Sequence, residues 1–98
     1  MGLKRVVVSG LGALTPIGNN IKSYWAGLKS GVSGADKITY FDTSKFKTQF
    51  ACELKGYDPM NFFDRKEARR LDRFSQYAIV SSDEAIKDSG LNNENIDN

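Results

Sequence analysis

A run of β-branched residues lies close to the start of the chain. Three consecutive valines at 6–8 follow Arg5 and come shortly before Gly10. Apolar runs of this kind, ended by glycine, are typical of strands whose two faces are both buried. The pattern therefore predicts a strand over residues 5–10.

The residues after this run repeat apolar side chains at the spacing of a helix. The repeating positions are Ile21, Tyr24, Trp25 and Leu28. They predict a helix over 20–30 with this face buried, because residues three and four apart lie on one side of a helix. Asn19 or Asn20 supplies the N-terminal cap, and Gly31 ends the helix. The spacing favours core packing over ligand stacking for the two aromatic residues.

Residues 46–54 alternate between two kinds of position. One set consists of Phe46, Thr48, Phe50, Cys52 and Leu54. A period of two predicts a strand with one buried face. Cys52 would lie on that face as a small apolar residue, and the chain has no histidine that could activate its thiol.

The second half of the chain carries the signals of a longer helical region. Asp64 and Glu67 have the spacing of a capping box, and Gly90 marks an end. The sequence predicts helix over 65–89, broken near Asp72, which caps a second segment. The face expected to be buried consists of Leu71, Phe74, Ala78, Ser82 and Ala85.

The order of the elements, β-α-β-α, predicts an α/β layered sheet. Ninety-eight residues allow one domain at most and bury only about 60–65% of the surface of the unfolded chain. Two strands and two helices cannot cover both faces of a layered sheet. Residues 1–98 are therefore expected to be an incomplete portion of a larger domain.

Composition excludes several classes of function. The chain is 40% hydrophobic and 27% charged, as in soluble globular proteins, and its net charge of +2 is too weak for a nucleic-acid binder. No apolar stretch approaches a membrane span, and a single cysteine predicts a reducing compartment, so the expected location is the cytoplasm. The absence of histidine argues against a nucleophile–histidine pair and the common zinc sites within this chain.

Gly10 and Gly12 form a short glycine motif after the first predicted strand. A dinucleotide-binding loop needs a third glycine where Thr15 stands, and Pro16 would occupy the first turn of the phosphate-binding helix. The motif instead predicts a turn in which glycine allows a positive φ or a close approach of two backbones. No cofactor is expected.

A basic cluster near the start of the second helical region is the strongest charge feature. Its members are Arg65, Lys66, Arg69, Arg70 and Arg73. Most charge runs are solvated helix faces, here partly neutralised by neighbouring acids. The alternative is a surface that attracts an acidic partner. The pattern alone leaves both interpretations open.

Four segments occur in one order along the chain. They are RVVVSGLGALTPIG at 5–18, YFDTS at 40–44, RKEARRLDRF at 65–74 with QYA at 76–78, and DSGL at 88–91. Together they resemble the N-terminal region of the β-ketoacyl-[acyl carrier protein] synthases. The basic form of 65–74 is similar to synthase II, the branch that elongates fatty acyl chains.

The resemblance implies a thiolase-like α-β-α-β-α layered fold, of which this chain would be the N-terminal part, and a homodimer. It implies acyl transfer by decarboxylating Claisen condensation with malonyl-acyl carrier protein. The family's nucleophilic cysteine lies in a later Thr-Ala-Cys context and its two histidines later still, so no catalytic residue is assigned here and the chain alone is expected to be inactive. Lys66, Arg69 and Arg70 match positions that dock the acidic acyl carrier protein, which favours the partner interpretation of the cluster.

Two other functions remain open. The chain could belong to a module that binds the carrier protein without catalysis. It could also belong to a chain-length-type partner subunit that has lost the nucleophile.

Overall fold

The computed structural model describes residues 2–92 and 94. Its elements are α1 (Ile21–Ser30), β1 (Asp36–Lys37), β2 (Phe50–Ala51), a 3-10 turn (Pro59–Asn61), α2 (Arg65–Arg70) and α3 (Arg73–Ser89). Helices together with a two-stranded sheet agree with the α/β class. No helix among residues 2–92 and 94 is long and apolar enough to cross a membrane.

The boundaries of α1 confirm the predicted helix. The side chain of Asn20 accepts a hydrogen bond from the Ser23 N–H at 2.8 Å, and Gly31 ends the helix in the left-handed conformation with φ 68°. The predicted burial of Trp25 and Leu28 is wrong, because both side chains are about half exposed. The helix instead approaches the preceding loop through Gly27, its one buried residue, whose Cα faces Ile17.

The predicted break between two helical segments is also confirmed. Asp64 caps α2 by accepting from the Glu67 N–H at 2.8 Å. The chain leaves the helix at Leu71, and Asp72 occupies the cap position of α3, although its side chain makes no capping hydrogen bond. Gly90 ends α3 with φ 73°.

The buried face of α3 differs from the predicted one. Gln76 and Val80 are buried, whereas Phe74 is 73% exposed and Ala78 and Ser82 are also exposed. At about 100° per residue, the predicted face lies on nearly the opposite side of the helix. Leu71 and Ala85 of the predicted face are partly buried, and Ala85 lies against Gly10. The rest of that face is uncovered because α3 packs against the N-terminal loop through Ser81 and Glu84 and against Tyr57 through Gln76.

The N-terminal loop lies against α3 through its two glycines. A Cβ at Gly10 would collide with the carbonyl oxygen of Ala85, and a Cβ at Gly12 with that of Ser81. Two carboxylates of α3 hydrogen-bond to the backbone of this loop. Asp88 accepts from the Leu11 N–H and Glu84 accepts from the Ala13 N–H, both at 2.9 Å. Close backbone approach, not a positive φ, explains the glycine motif.

The predicted strand over 5–10 does not form. Residues 6–8 have no strand assignment, and Val6 is 91% exposed. An inner strand needs hydrogen-bonded neighbours, and within the described part of the chain no strand lies beside it. The prediction was wrong for this structure, because a β-branched run indicates strand propensity but does not supply the neighbouring strand.

Only the middle of the predicted strand over 46–54 is a strand. Phe50–Ala51 pairs antiparallel with Asp36–Lys37, with Asp36 opposite Ala51. The alternating face is not buried, since Phe46, Phe50 and Cys52 are exposed. The prediction that Cys52 is buried was therefore wrong, because two short strands present no second layer to cover that face.

The described chain is extended for its length. Its radius of gyration is 17.6 Å, whereas a compact domain of about 100 residues has roughly 13 Å. Val80 is the one hydrophobic residue classed as buried among those described. The fold thus consists of locally capped helices around a very small core.

Candidate functional site

The candidate site is α2, a six-residue helix that carries four basic side chains. Arg65, Lys66, Arg69 and Arg70 are all exposed. Asp64 and Glu67 lie at the N-terminal end, where the positive end of the helix dipole stabilises acidic side chains. Arg69 and Arg70 lie at the C-terminal end, where the negative end of the dipole stabilises cations. Local capping and charge placement therefore favour the helical conformation of this short cationic segment.

The cations of α2 have no carboxylate partner in the described part of the chain. The ion pair found among residues 2–92 and 94 is Lys87–Asp83, at 3.1 Å on α3. Asp64 uses a side-chain oxygen to cap the Glu67 N–H rather than to neutralise an arginine. The predicted site residues Lys66, Arg69 and Arg70 are exposed and make no ion pair with a described residue. This observation weakens the interpretation of the cluster as a helix face that is neutralised by its own acidic residues.

Arg73 separates from the rest of the cluster. The helix break at Leu71 places it on α3, where its guanidinium lies 5.8 Å from the centre of the Tyr40 ring. A hydrogen bond to Tyr77 raises the pKa of Arg73 further above its usual range. Arg73 therefore contacts tyrosines and lies on a different helix from the other members of the basic cluster.

A buried glutamine joins α3 to the end of α2. The side chain of Gln76 is 4% exposed. Its amide nitrogen donates to the carbonyl oxygens of Ala68 at 2.9 Å and Leu71 at 3.2 Å, and its carbonyl oxygen accepts from the Tyr57 hydroxyl at 2.7 Å. Sequence reasoning missed this residue, because a polar side chain outside the expected apolar face gives no periodic signal.

Tyr57 completes this arrangement from the turn before α2. Its ring packs edge-on against Tyr77 and stacks on Phe62, with centroids 5.2 Å and 6.0 Å away. Burial raises the pKa of the Tyr57 hydroxyl above its usual value near 10. The hydroxyl is therefore protonated at neutral pH and serves as the donor to Gln76.

A shallow groove runs beside the basic helix. It is lined by Phe63, Glu67, Arg70, Leu71 and Ile79. Three of these side chains are apolar, and Glu67 and Arg70 carry opposite charges. Exposed cations and apolar side chains therefore lie next to each other at this end of α2.

The remaining candidates for chemistry are not assembled into a site. Cys52 is a free, exposed thiol next to β2, and the chain contains no histidine. A search of the described residues for groups of three or more metal-ligating side chains found none.

Comparison with known proteins identifies the family. The family model for the N-terminal domain of β-ketoacyl synthases matches residues 3–98. The match covers nearly the whole chain, which therefore belongs to the β-ketoacyl synthase family through its N-terminal domain.

Individual relatives agree with this assignment. The chain is 53% identical over 93 residues to 3-oxoacyl-[acyl-carrier-protein] synthase 2 of Staphylococcus aureus, covering 94% of this chain and 22% of that protein. It is 51% identical over 88 residues to the enzyme of the same name from Synechocystis, covering 90% and 21%. The chain thus spans about a fifth of the length of the curated relatives it matches.

Solved structures show the same fold. The ishigamide ketosynthase/chain length factor superposes with a TM-score of 0.80 at 34% identity, covering 92% of this chain and 22% of that one. A type II polyketide ketosynthase in complex with its acyl-carrier protein superposes with a TM-score of 0.67 at 24% identity, covering 93% and 23%. The second likeness concerns the fold alone.

Proposed function

We propose that this chain is the N-terminal portion of a condensing enzyme that elongates fatty acyl chains. The complete protein would condense an acyl-enzyme with malonyl-acyl carrier protein by decarboxylation, as the names of its relatives suggest. Identity above 50% to two enzymes named 3-oxoacyl-[acyl-carrier-protein] synthase 2 supports the elongating branch. The nucleophile and the histidines that stabilise the oxyanion would lie outside residues 1–98.

The proposal includes an incomplete domain. Phe74, Ile79 and Ile86 of α3 are exposed, as are the valines at 6–8. A helix or strand with an uncovered apolar face is stabilised when another layer packs on it. We infer that the remainder of a thiolase-like α-β-α-β-α domain covers these faces, in a cytoplasmic homodimer.

Within that enzyme, α2 is proposed to dock the acyl carrier protein through Lys66, Arg69 and Arg70. The observation that carries this proposal is their exposure without a carboxylate partner among the described residues. Acidic partners are attracted by such a surface, mainly through faster association. One structural relative was solved with an acyl-carrier protein bound to its ketosynthase, which is consistent with this type of partner.

A chimera tests the docking surface. This chain would replace the matching N-terminal segment of the Staphylococcus aureus enzyme, and Arg69→Glu with Arg70→Glu would be introduced. We expect a KM for acyl-carrier protein at least about tenfold higher, because two attractive charges become repulsive. Turnover of a small thioester without the carrier should be unchanged.

The matched control is Lys45→Glu with Lys47→Glu, which makes the same charge change at exposed lysines of another segment. The difference in KM for acyl-carrier protein between the two double variants should shrink as the salt concentration rises. Salt screens exposed charges from each other, with a screening length of about 8 Å at 0.15 M. Equal loss with both substrates would assign α2 a folding role. No loss with either would restore the interpretation as a solvated face.

The 98-residue chain alone is expected to have no condensing activity. Condensation needs a nucleophile and oxyanion donors, and this chain lacks histidine. Incubation with acyl- and malonyl-carrier protein should release carbon dioxide only at background rate. Release that depends on Cys52 would overturn this assignment.

A chain-length-type partner subunit is the second candidate. It is favoured by the structural match to a ketosynthase/chain length factor. The two candidates differ in the residues that the complete protein carries beyond Asn98. A cysteine in a Thr-Ala-Cys context with two histidines after it identifies the enzyme, whereas loss of that cysteine identifies the partner subunit.

A further inference from the structure

The end of α2 depends on hydrogen bonds from outside the helix. Isolated helices shorter than roughly 12 residues are marginal in water, and α2 has six. Helix C-termini also leave their last carbonyl groups without intrahelical partners. Something else must therefore hold the segment that carries Arg69 and Arg70.

Gln76 supplies what the helix lacks. Its two side-chain N–H groups go to the carbonyl oxygens of Ala68 and Leu71, residues that lie immediately before and after the two arginines. Its own carbonyl oxygen is fixed by the Tyr57 hydroxyl. An amide with donors and acceptor used in this way, and 4% exposed, has one orientation available.

We propose that Gln76 is a positioning residue for the docking surface, acting through the backbone of α2 on Arg69 and Arg70. This inference rests on the proposed docking function and adds a residue to it. Gln76 itself is buried and does not contact the partner. It fixes where α2 ends relative to α3, and so the direction from which the arginines meet an acidic surface.

The test is Gln76→Leu in the chimeric enzyme, which keeps the approximate size and removes every hydrogen bond. Two part-buried carbonyl oxygens lose a donor, so we expect the KM for acyl-carrier protein to rise on the order of tenfold. The kcat for a small thioester should be unchanged. The matched control is Gln49→Leu, the same substitution at an exposed glutamine, which should alter neither value.

Amide hydrogen exchange gives a readout independent of turnover. The Ala68 and Leu71 N–H groups donate to the backbone carbonyl oxygens of Asp64 and Glu67. In the Gln76→Leu variant, these two N–H groups should exchange faster with solvent. The Tyr24 N–H, which bonds to the Asn20 carbonyl at the start of α1, should be unaffected. Tyr57→Phe keeps the ring packing and removes only the bond to Gln76, so both effects should recur at smaller size.

The outcomes separate this inference from the docking proposal. If Arg69→Glu with Arg70→Glu raises the KM but Gln76→Leu and Tyr57→Phe change neither KM nor exchange, Gln76 has no positioning role. If Gln76→Leu reduces turnover of both substrates equally, its role is general stability and the inference fails. If the arginine variant itself has no effect, the docking proposal fails, and the inference with it. Should Gln76→Leu not fold, Tyr57→Phe decides by the same two measurements.

Discussion

Two regions of the molecule differ in how many of their groups find partners. They are the corner between α2 and α3 and the valine run at 6–8. At the corner, the Asp64 cap and the buried amide of Gln76 satisfy backbone groups at the two ends of α2 within about twenty residues of chain. The valine run has no strand partner in the described residues and its side chains face solvent. The polar groups of the corner thus have local partners, whereas the valine run has no strand beside it among the described residues.

This difference teaches which parts of a layered domain are encoded locally. Helix hydrogen bonds connect residues four apart, so a cap and a few side chains define them. Strand hydrogen bonds connect separate segments, so a strand exists only where its neighbours are in place. We therefore expect substitutions in the valine run to depend on the rest of the domain, and those at the corner to depend on it much less.

The largest expected effect comes from a charge placed in the valine run. In the chimera, Val7→Asp should lower the free energy of unfolding by at least about 3 kcal/mol, because the completed sheet would bury an unpaired carboxylate. Val32→Asp, at another exposed valine, should change it little. Equal small effects in chemical denaturation would show that residues 5–10 are no inner strand in the whole domain.

Gly12→Ala comes next, because it forces apart the loop and α3. The added Cβ would meet the Ser81 carbonyl oxygen and lie 2.9 Å from the Ala85 nitrogen, both backbone atoms that cannot rotate away. We expect a loss of about 2 kcal/mol, measured as a lowered Tm of the chimera. At Gly2, an added Cβ would have no atom within 4 Å, so Gly2→Ala should leave the Tm unchanged. A neutral Gly12→Ala would mean that the close approach is not part of the folded domain.

The same division explains what the sequence could predict. The caps at Asn20 and Asp64 and the end at Gly90 were predictable, because each depends on residues within one turn. The strand over 5–10 and the buried face over 46–54 were not, because their burial depends on layers that the pattern cannot show to be present.

The candidate site was predictable in part. Exposure of Lys66, Arg69 and Arg70 agrees with the expectation drawn from charge and resemblance. Their separation from Arg73 results from the helix break, but the sequence pattern had grouped all of them. Gln76 could not be predicted, because its partners lie eight and nineteen residues away and meet only when the corner closes.

Glu84→Gln tests the contact between α3 and the N-terminal loop. The carboxylate accepts from the Ala13 N–H at 2.9 Å and from the Ile21 N–H at 3.0 Å. An amide oxygen in the place of Oε1 would keep the Ala13 bond and the longer 3.2 Å bond from Ile21. The shorter Ile21 bond and the negative charge that strengthens both bonds would be lost, so we expect a loss of about 1–2 kcal/mol in chemical denaturation. Asp83→Asn breaks an exposed ion pair instead and should cost at most about 1 kcal/mol. The reverse order would contradict the importance of this contact.

The smallest expected effect concerns Asp42, whose hydrogen-bond partner lies only two residues away in the sequence. Its carboxylate accepts from the Ser44 N–H at 3.0 Å, and hydrogen bonds to the backbone and then the side chain of Ser44 lower the pKa of Asp42. A depressed pKa in the folded state stabilises the turn above the unfolded pKa of about 3.9, and this contribution is lost as the pH falls through the lower folded value. Asp42→Asn should abolish that pH dependence.

An NMR titration of the Asp42 carboxyl group checks this expectation. The midpoint should lie below about 3.9. It should rise only part of the way in Ser44→Ala, because the backbone N–H remains. Since the partner is two residues away, the isolated chain and the chimera should give the same midpoint, unlike their responses to Val7→Asp. A midpoint that is depressed only in the chimera would show that even this turn needs the rest of the domain, and the distinction between local and completed regions would have to be redrawn.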